Sequence, residues 1–254
     1  MKRNIAVLVV VILFLFAHSA YAAPYAYIPN VYDNNVTVFD TETFSIVPSS
    51  PIPVGTWPHG VSACPDGKKV YVSNWSEATV SVIDTATMTV VATIATGTGP
   101  IGTAFNPSST RAYVANYGSL AVSVIDTASN TVVDNIPMPS GPYGVAIDHS
   151  GTRVYVTGYD SSSVYVIDAS TNTLVDTIAV GSVPLGITVH PSGSTLWVAR
   201  KTSPKVTSAG TATIKTSATM VFDSSLVRMK AGRATGLERI QAAVPDCISW
   251  MISS

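Results

Sequence analysis

The chain has 254 residues, a formal net charge of −1 and only 11% charged residues, a composition without the clustered Lys and Arg that binding to nucleic-acid phosphates requires. Residues 23–200 hold 5 Lys or Arg against 12 Asp or Glu, whereas residues 201–254 hold 7 against 3. This change of sign marks a boundary near residue 200.

The N-terminus comes first in chain order. Lys2 and Arg3 precede an unbroken apolar run from Ile5 to Phe16, and small residues close the segment at Ala20-Tyr21-Ala22. A positive start, a short apolar core and an A-x-A site form a secretory signal peptide over residues 1–22. An uncleaved membrane anchor would need about 20 apolar residues. The mature chain is therefore expected to begin at Ala23, soluble and extracytoplasmic (periplasmic, secreted or at the cell surface), with no stable membrane anchor. In such a compartment Cys64 and Cys247 either bridge to each other or stand as separate thiols, since their positions alone do not pair them.

A repeat fills the next 178 residues. A tetrapeptide recurs as YIPN at Tyr27, YVSN at Tyr71, YVAN at Tyr113 and YVTG at Tyr155, and fades to WVAR at Trp197. VTVFD ends at Asp40, VSVID at Asp84 and Asp126, and VYVID at Asp168, while Pro-x-Gly begins at Pro58, Pro100, Pro142 and Pro184. Self-similarity at a period of about 40 to 45 residues, carried on apolar β-type runs, means a unit that buries its faces only by stacking on its neighbours. Within the third full repeat, GVAID (144–148), VYVT (154–157), VYVID (164–168) and LVDTIAV (174–180) read as four strands separated by turn residues. Four short antiparallel strands per repeat make a β-propeller blade. The predicted fold is all-β: a propeller of four-stranded blades of about 42 residues, three complete and others partial, with an open or incomplete ring.

Most recurring residues have structural explanations. Asp84 and Asp126 open turns in which a carboxylate accepts backbone N–H groups, and Asn130 and Asn172 suit a left-handed turn position. Asn30, Asn74 and Asn116 end a strand and are expected to bond loop backbone. Gly60, Gly102, Gly144 and Gly186 begin the innermost strand, where blades crowd and a missing Cβ helps.

In the strings YVSN, YVAN, YVTG, VSVID, DTAT, DTASN, GPIG and GPYG, the chain from Tyr25 to about Arg200 resembles the YVTN-type β-propeller repeat proteins. The resemblance implies a secreted or surface-exposed propeller, related in fold to quinoprotein dehydrogenase and haem d1 propellers. It implies no shared catalytic residues. The chain departs from that pattern in length, entering at a second strand and giving only two strands from Gly186 to Arg200. Residues 201–254 then read as a divergent tail. Val206 falls in register for a third strand beside Leu196 to Ala199, but Ser208, Ala209 and Gly210 stand where Val-Ile-Asp is wanted. The tail is thus expected to be irregular and the ring open, with blade edges available for self-association.

No haem-attachment, zinc-protease, nucleophile-elbow, phosphate-loop or calcium-loop signature is present, and no cofactor is expected. Glu42 and Glu77 are the sole glutamates of the repeats, which leaves a paired-carboxylate mechanism few candidates. Two rings of candidates follow from the period. Cys64, Asn106, Asp148 and His190 share one position at the end of the innermost strand and include metal-ligand types, although Asn, Asp and Ser also initiate turns there. His59, Ile101, Tyr143 and Leu185, with Trp57 beside them, follow the loop at each blade entrance, where rigid folds carry binding residues. Trp75, Tyr117 and Tyr159 form a further set, read first as packing between blades and second as an exposed stripe for sugar or peptide. Asn35-Val36-Thr37 and Asn74-Trp75-Ser76 are formal glycosylation sequons. The leading expectation is a noncatalytic scaffold that binds a protein or cell-envelope ligand. A propeller-type enzyme or redox protein (lyase, lactonase or quinoprotein-like) is the rival, and a truncated gene product without independent function is the third reading.

Overall fold

The computed structural model describes residues 25–201 and 221–222. The predicted signal peptide, Val206 and Cys247 lie outside them. Among the described residues, apart from one turn of 3-10 helix at Trp75–Glu77, all regular structure is β. Among the described residues no helix is long and apolar enough to cross a membrane.

Five sheets follow in chain order. The first holds β1 (Tyr25–Asn30), β2 (Asn35–Asp40) and two short pieces, β3 (Ser45–Ile46) and β4 (Ile52–Pro53), both paired to β2. Pro48 and Pro51 lie between those pieces, and proline has no N–H to give a ladder, so the outer strand is split. The second sheet is β5 (Pro58–Ala63), β6 (Lys69–Asn74), β7 (Thr79–Asp84) and β8 (Thr89–Ala95). The third is β9 (Pro100–Phe105), β10 (Arg111–Asn116), β11 (Ala121–Asp126) and β12 (Thr131–Pro137). The fourth is β13 (Pro142–Ile147), β14 (Arg153–Gly158), β15 (Ser163–Asp168) and β16 (Thr173–Ala179). These three sheets are antiparallel meanders, matching the repeat grammar strand for strand. The fifth has β17 (Pro184–Val189), β18 (Leu196–Arg200) and β19 (Val221–Phe222). β19 runs parallel to β18, opposite Val198 and Ala199. The strand beside β18 therefore comes from later in the chain, and in the opposite sense, than the register of Val206 suggests.

Packing explains the apolar runs. In β7, β11 and β15 both faces are covered: Val82, Ile83 and Ile125 are 0% exposed. Successive side chains point to opposite faces, so each blade buries one set against the blade before it and one against the blade after. Tyr71, Val80, Val82 and Ile94 meet Phe105, Ala112, Val114 and Ile125 of the next blade. The outer strands β8, β12 and β16 lie on the rim, and Val91, Val133 and Val175 are exposed there.

The described blades form an arc, not a closed ring. The innermost strands pack in sequence, β5 on β9, β9 on β13 and β13 on β17. A Cβ added at Gly60 would stand 1.8 Å from the carbonyl oxygen of Ile101, at Gly102 2.4 Å from that of Tyr143, and at Gly144 2.4 Å from that of Leu185. At Gly186 the nearest atom is Ala199 Cβ, 4.0 Å away. Crowding therefore stops at the last blade. At the other end Ile28 is 48% exposed, although its counterparts Val72, Val114 and Val156 are wholly buried.

Candidate functional site

The turns at the far ends of the innermost strands account for one predicted ring. Asn106 Oδ1 accepts the N–H groups of Thr110 (2.9 Å) and Arg111 (2.9 Å), and Asp148 Oδ1 those of Thr152 (2.8 Å) and Arg153 (3.1 Å). His190 Nδ1 accepts the Ser192 N–H at 3.1 Å. Cys64 is buried and has no disulfide partner among the described residues, and burial pushes the ionisation of its thiol up. Asn106, Asp148 and His190 are thus engaged within their own turns, and among the described residues no three His, Cys, Asp or Glu side chains come together to hold a metal. The neighbouring turns behave as the sequence suggests. Asp84 Oδ1 accepts Ala86 and Thr87 N–H, Asp126 Oδ1 accepts Ala128 and Ser129 N–H, and Asn130 and Asn172 stand at φ +53°. Arg111 pairs with Asp126, and Arg153 with Asp168, on the same turns.

The strand-ending asparagines differ from expectation. Asn74 Nδ2 donates to Thr79 Oγ1 (3.0 Å) and Ser81 Oγ (2.9 Å), and Asn116 Nδ2 to Ser123 Oγ (2.8 Å), so they tie strand to strand within a blade and not to loop backbone. Asn74 is wholly buried, which removes its sequon from the surface. The Oδ1 atoms of Asn74 and Asn116 have no partner among the described residues.

At the opposite end of the blades lie the entrance loops. Trp57 is 46% exposed and sits at φ +56°, a left-handed conformation that costs a non-glycine residue roughly 1–2 kcal/mol. Its N–H donates to Asn34 Oδ1 (3.0 Å) and its carbonyl accepts the Trp75 N–H (3.0 Å). His59 is half-buried, and burial holds its imidazole below the ordinary histidine range, so it is neutral at pH 7. Tyr143 and Leu185 are half-buried at the entrance too. Ile101 is the correction within this ring: at 5% exposure its side chain belongs to the core, while its carbonyl lies against Gly60.

The two aromatic sets join into one ribbon. His59 and Trp75 lie 5.8 Å apart between centroids, Trp75 and Tyr117 5.8 Å, Tyr117 and Tyr159 5.7 Å, and Tyr159 stacks on Tyr143 at 5.5 Å with 25° between planes. The ring of one blade rests on the entrance glycine of the next. A Cβ at Gly99 would stand 3.3 Å from Trp75, and one at Gly141 2.5 Å from Tyr117. The first blade has Val31 where the others carry Trp75, Tyr117 and Tyr159, and at the junction that follows Trp57 replaces the glycine. Each junction thus keeps one aromatic ring. Reading the repeats singly shows both sets but not their union, because the ring and the glycine it covers belong to different blades.

A family model described as lactonase, 7-bladed beta-propeller, matches residues 58–215. The chain belongs to this family of propellers. Among solved structures it is similar to the Kuenenia stuttgartiensis hydrazine synthase, with 28% identity and a TM-score of 0.63 over 67% of this chain and 51% of that one. The chain thus spans about half the length of that structure. A search of the curated proteins returns no match.

Proposed function

We propose that this lactonase-family propeller is an extracytoplasmic, noncatalytic binding scaffold of the YVTN type, whose ligand lies across the blade entrances. One observation carries the reading. The entrance end presents a continuous ribbon of half-buried rings flanked by the exposed Trp57, whereas β5, β9, β13 and β17, read as PHGVSA, PIGTAF, PYGVAI and PLGITV, contain no Asp, Glu, Lys or Arg. Surfaces rich in Trp and Tyr, built on a rigid frame, suit recognition. Acid–base chemistry on the axis needs titratable groups there. Export rests on the Met1 to Ala22 segment, and N-terminal sequencing of exported protein tests it, with Ala23 as the expected first residue.

The family match favours a second reading, hydrolysis of a lactone. Its best candidate base is His59, neutral at pH 7 and the one histidine among the four innermost strands, which hold no carboxylate, lysine or arginine. A pH-stat assay over γ- and δ-lactones separates the two. Turnover no greater than that of His59→Phe supports the scaffold. Turnover that His59→Phe abolishes supports the hydrolase.

A further inference from the structure

The entrance end has a one-sided chemistry. Its loops, residues 31–34, 54–57, 75–78, 96–99, 117–120, 138–141, 159–162 and 180–183, contain Asp33, Glu77 and Asp160 but no Lys or Arg. Bases come only with Arg200 and Lys201 at the last blade. Lys68, Lys69, Arg111 and Arg153 all lie at the opposite turns, where the carboxylates are occupied by turn N–H groups and by arginine. At the entrance the three acids are exposed. Asp160 Oδ2 accepts the Tyr117 hydroxyl at 3.2 Å, so a carboxylate stands at the edge of the ring ribbon. Glu77 Oε1 accepts both the N–H (3.0 Å) and the hydroxyl of Thr56, beside Trp57, so this carboxylate is held in place by its loop but, unlike those of Asp126 and Asp168, has no arginine paired with it among the described residues.

A surface of aromatic rings and acceptors attracts a ligand that brings positive charge and N–H donors. Cations seat over Trp and Tyr faces, and a carboxylate beside the ring adds a charge-assisted bond. The strained backbone at Trp57 points the same way. Gly99, at the matching position one blade on, also stands in the left-handed region, at φ +63° and without penalty. A bulky residue kept in that conformation and left 46% exposed stabilises the fold less than glycine would.

We infer that the entrance face binds a basic peptide segment, its lysine or arginine side chains laid over the ribbon from His59 to Tyr143 and over Trp57, and met by Glu77 and Asp160. The inference rests on the reading of this face as a binding surface and names its ligand class.

The mature full-length protein is titrated with a (Lys-Ala)5 peptide by calorimetry and tryptophan fluorescence, with (Glu-Ala)5 and cellohexaose as counter-probes. (Lys-Ala)5 is expected to bind, with affinity falling as salt rises, and the counter-probes are not. Trp57→Gly should keep or raise the melting temperature and weaken binding about two- to fivefold, the size of an exposed cation–π contact of ~0.5–1 kcal/mol. Trp57→Phe should restore part of that loss, and Asp160→Asn should weaken binding and flatten its salt dependence. Equal binding of (Lys-Ala)5 by wild type and by the Trp57→Gly, Asp160→Asn double variant overturns the inference by placing the peptide elsewhere. Cellohexaose bound in place of (Lys-Ala)5, with a loss on Trp57→Gly, overturns the ligand class and leaves the binding face standing. No titration by any of the three probes overturns the ligand class, and unaltered tryptophan emission with envelope extracts would then sink the binding face as well.

Discussion

Gly102 and Gly186 occupy one position of the repeat and meet different surroundings. A Cβ at Gly102 would stand 2.4 Å from the Tyr143 carbonyl oxygen, while at Gly186 nothing lies within 3.9 Å. Gly102→Ala is therefore expected to destabilise by ~1–3 kcal/mol through overpacking against backbone. Gly186→Ala should stay within about 0.5 kcal/mol of wild type or gain slightly from the restricted unfolded chain. Urea unfolding of both variants checks the pair, and equal losses would show that the last blade is covered. Asp126 supplies a second residue-scale expectation. The Ser129 N–H and then the Arg111 guanidinium hold its carboxyl down at about 2, against an ordinary value of 3.8. A depressed folded value means that the contribution is fully present above the unfolded pKa, near 4, and is lost as pH falls through 2. Carboxyl NMR of Asp126 should show the midpoint, and Asp126→Asn should flatten acid unfolding between pH 4 and 2. An Asp126 midpoint near 4 would mean that the turn contacts do not form in solution.

At the scale of the strand, β11 shows what a continuous apolar run means. AVSVID places Val122 and Val124 on one face and Ile125 on the other, and all three are 1% exposed or less. A strand buried on both faces loses the simple apolar–polar alternation. Ile125→Ala is expected to cost ~2–5 kcal/mol through lost burial and a cavity, whereas Val133→Thr on the exposed face of β12 should change stability by less than about 0.5 kcal/mol. Thermal or urea melts of the two variants test this contrast, and a small loss at Ile125 would mean that the stack is open there. The strands of the second to fourth blades were legible in the repeat because each is flanked by its own turn chemistry, such as the Asp84 and Asp126 turns. β19 was not legible, because a two-residue parallel pairing leaves no period to read.

On the scale of the whole molecule, the arc leaves a blade face without a neighbour among the described residues. Ile28, Phe44 and Ile46 of the first blade are 48%, 77% and 62% exposed. Their counterparts one repeat on, Val72, Met88 and Val90, pack into the junction between the first two blades. An apolar face built for another blade and left open favours association. Size-exclusion chromatography with light scattering is expected to show wild type as larger than a monomer. The Ile28→Thr, Phe44→Ser, Ile46→Thr variant should shift toward the monomer with an unchanged melting temperature. A strictly monomeric wild type would show that this face is covered within the chain.

The amino-acid sequence by itself determined the repeat, its strand order, the Asp and Asn turns and the crowded glycines, because each of these rests on contacts within one repeat or on a position that every repeat shares. It also placed Trp57, His59, Tyr143 and Leu185 at the blade entrances, since the Pro-x-Gly turn is local. Tertiary structure decided what depends on two blades at once. It sent Ile101 into the core and joined His59, Trp75, Tyr117, Tyr159 and Tyr143 into one ribbon. It decided as well that the described blades end with open faces. Stacking angle and the identity of the facing blade set those outcomes, and neither is written in the period of a single repeat.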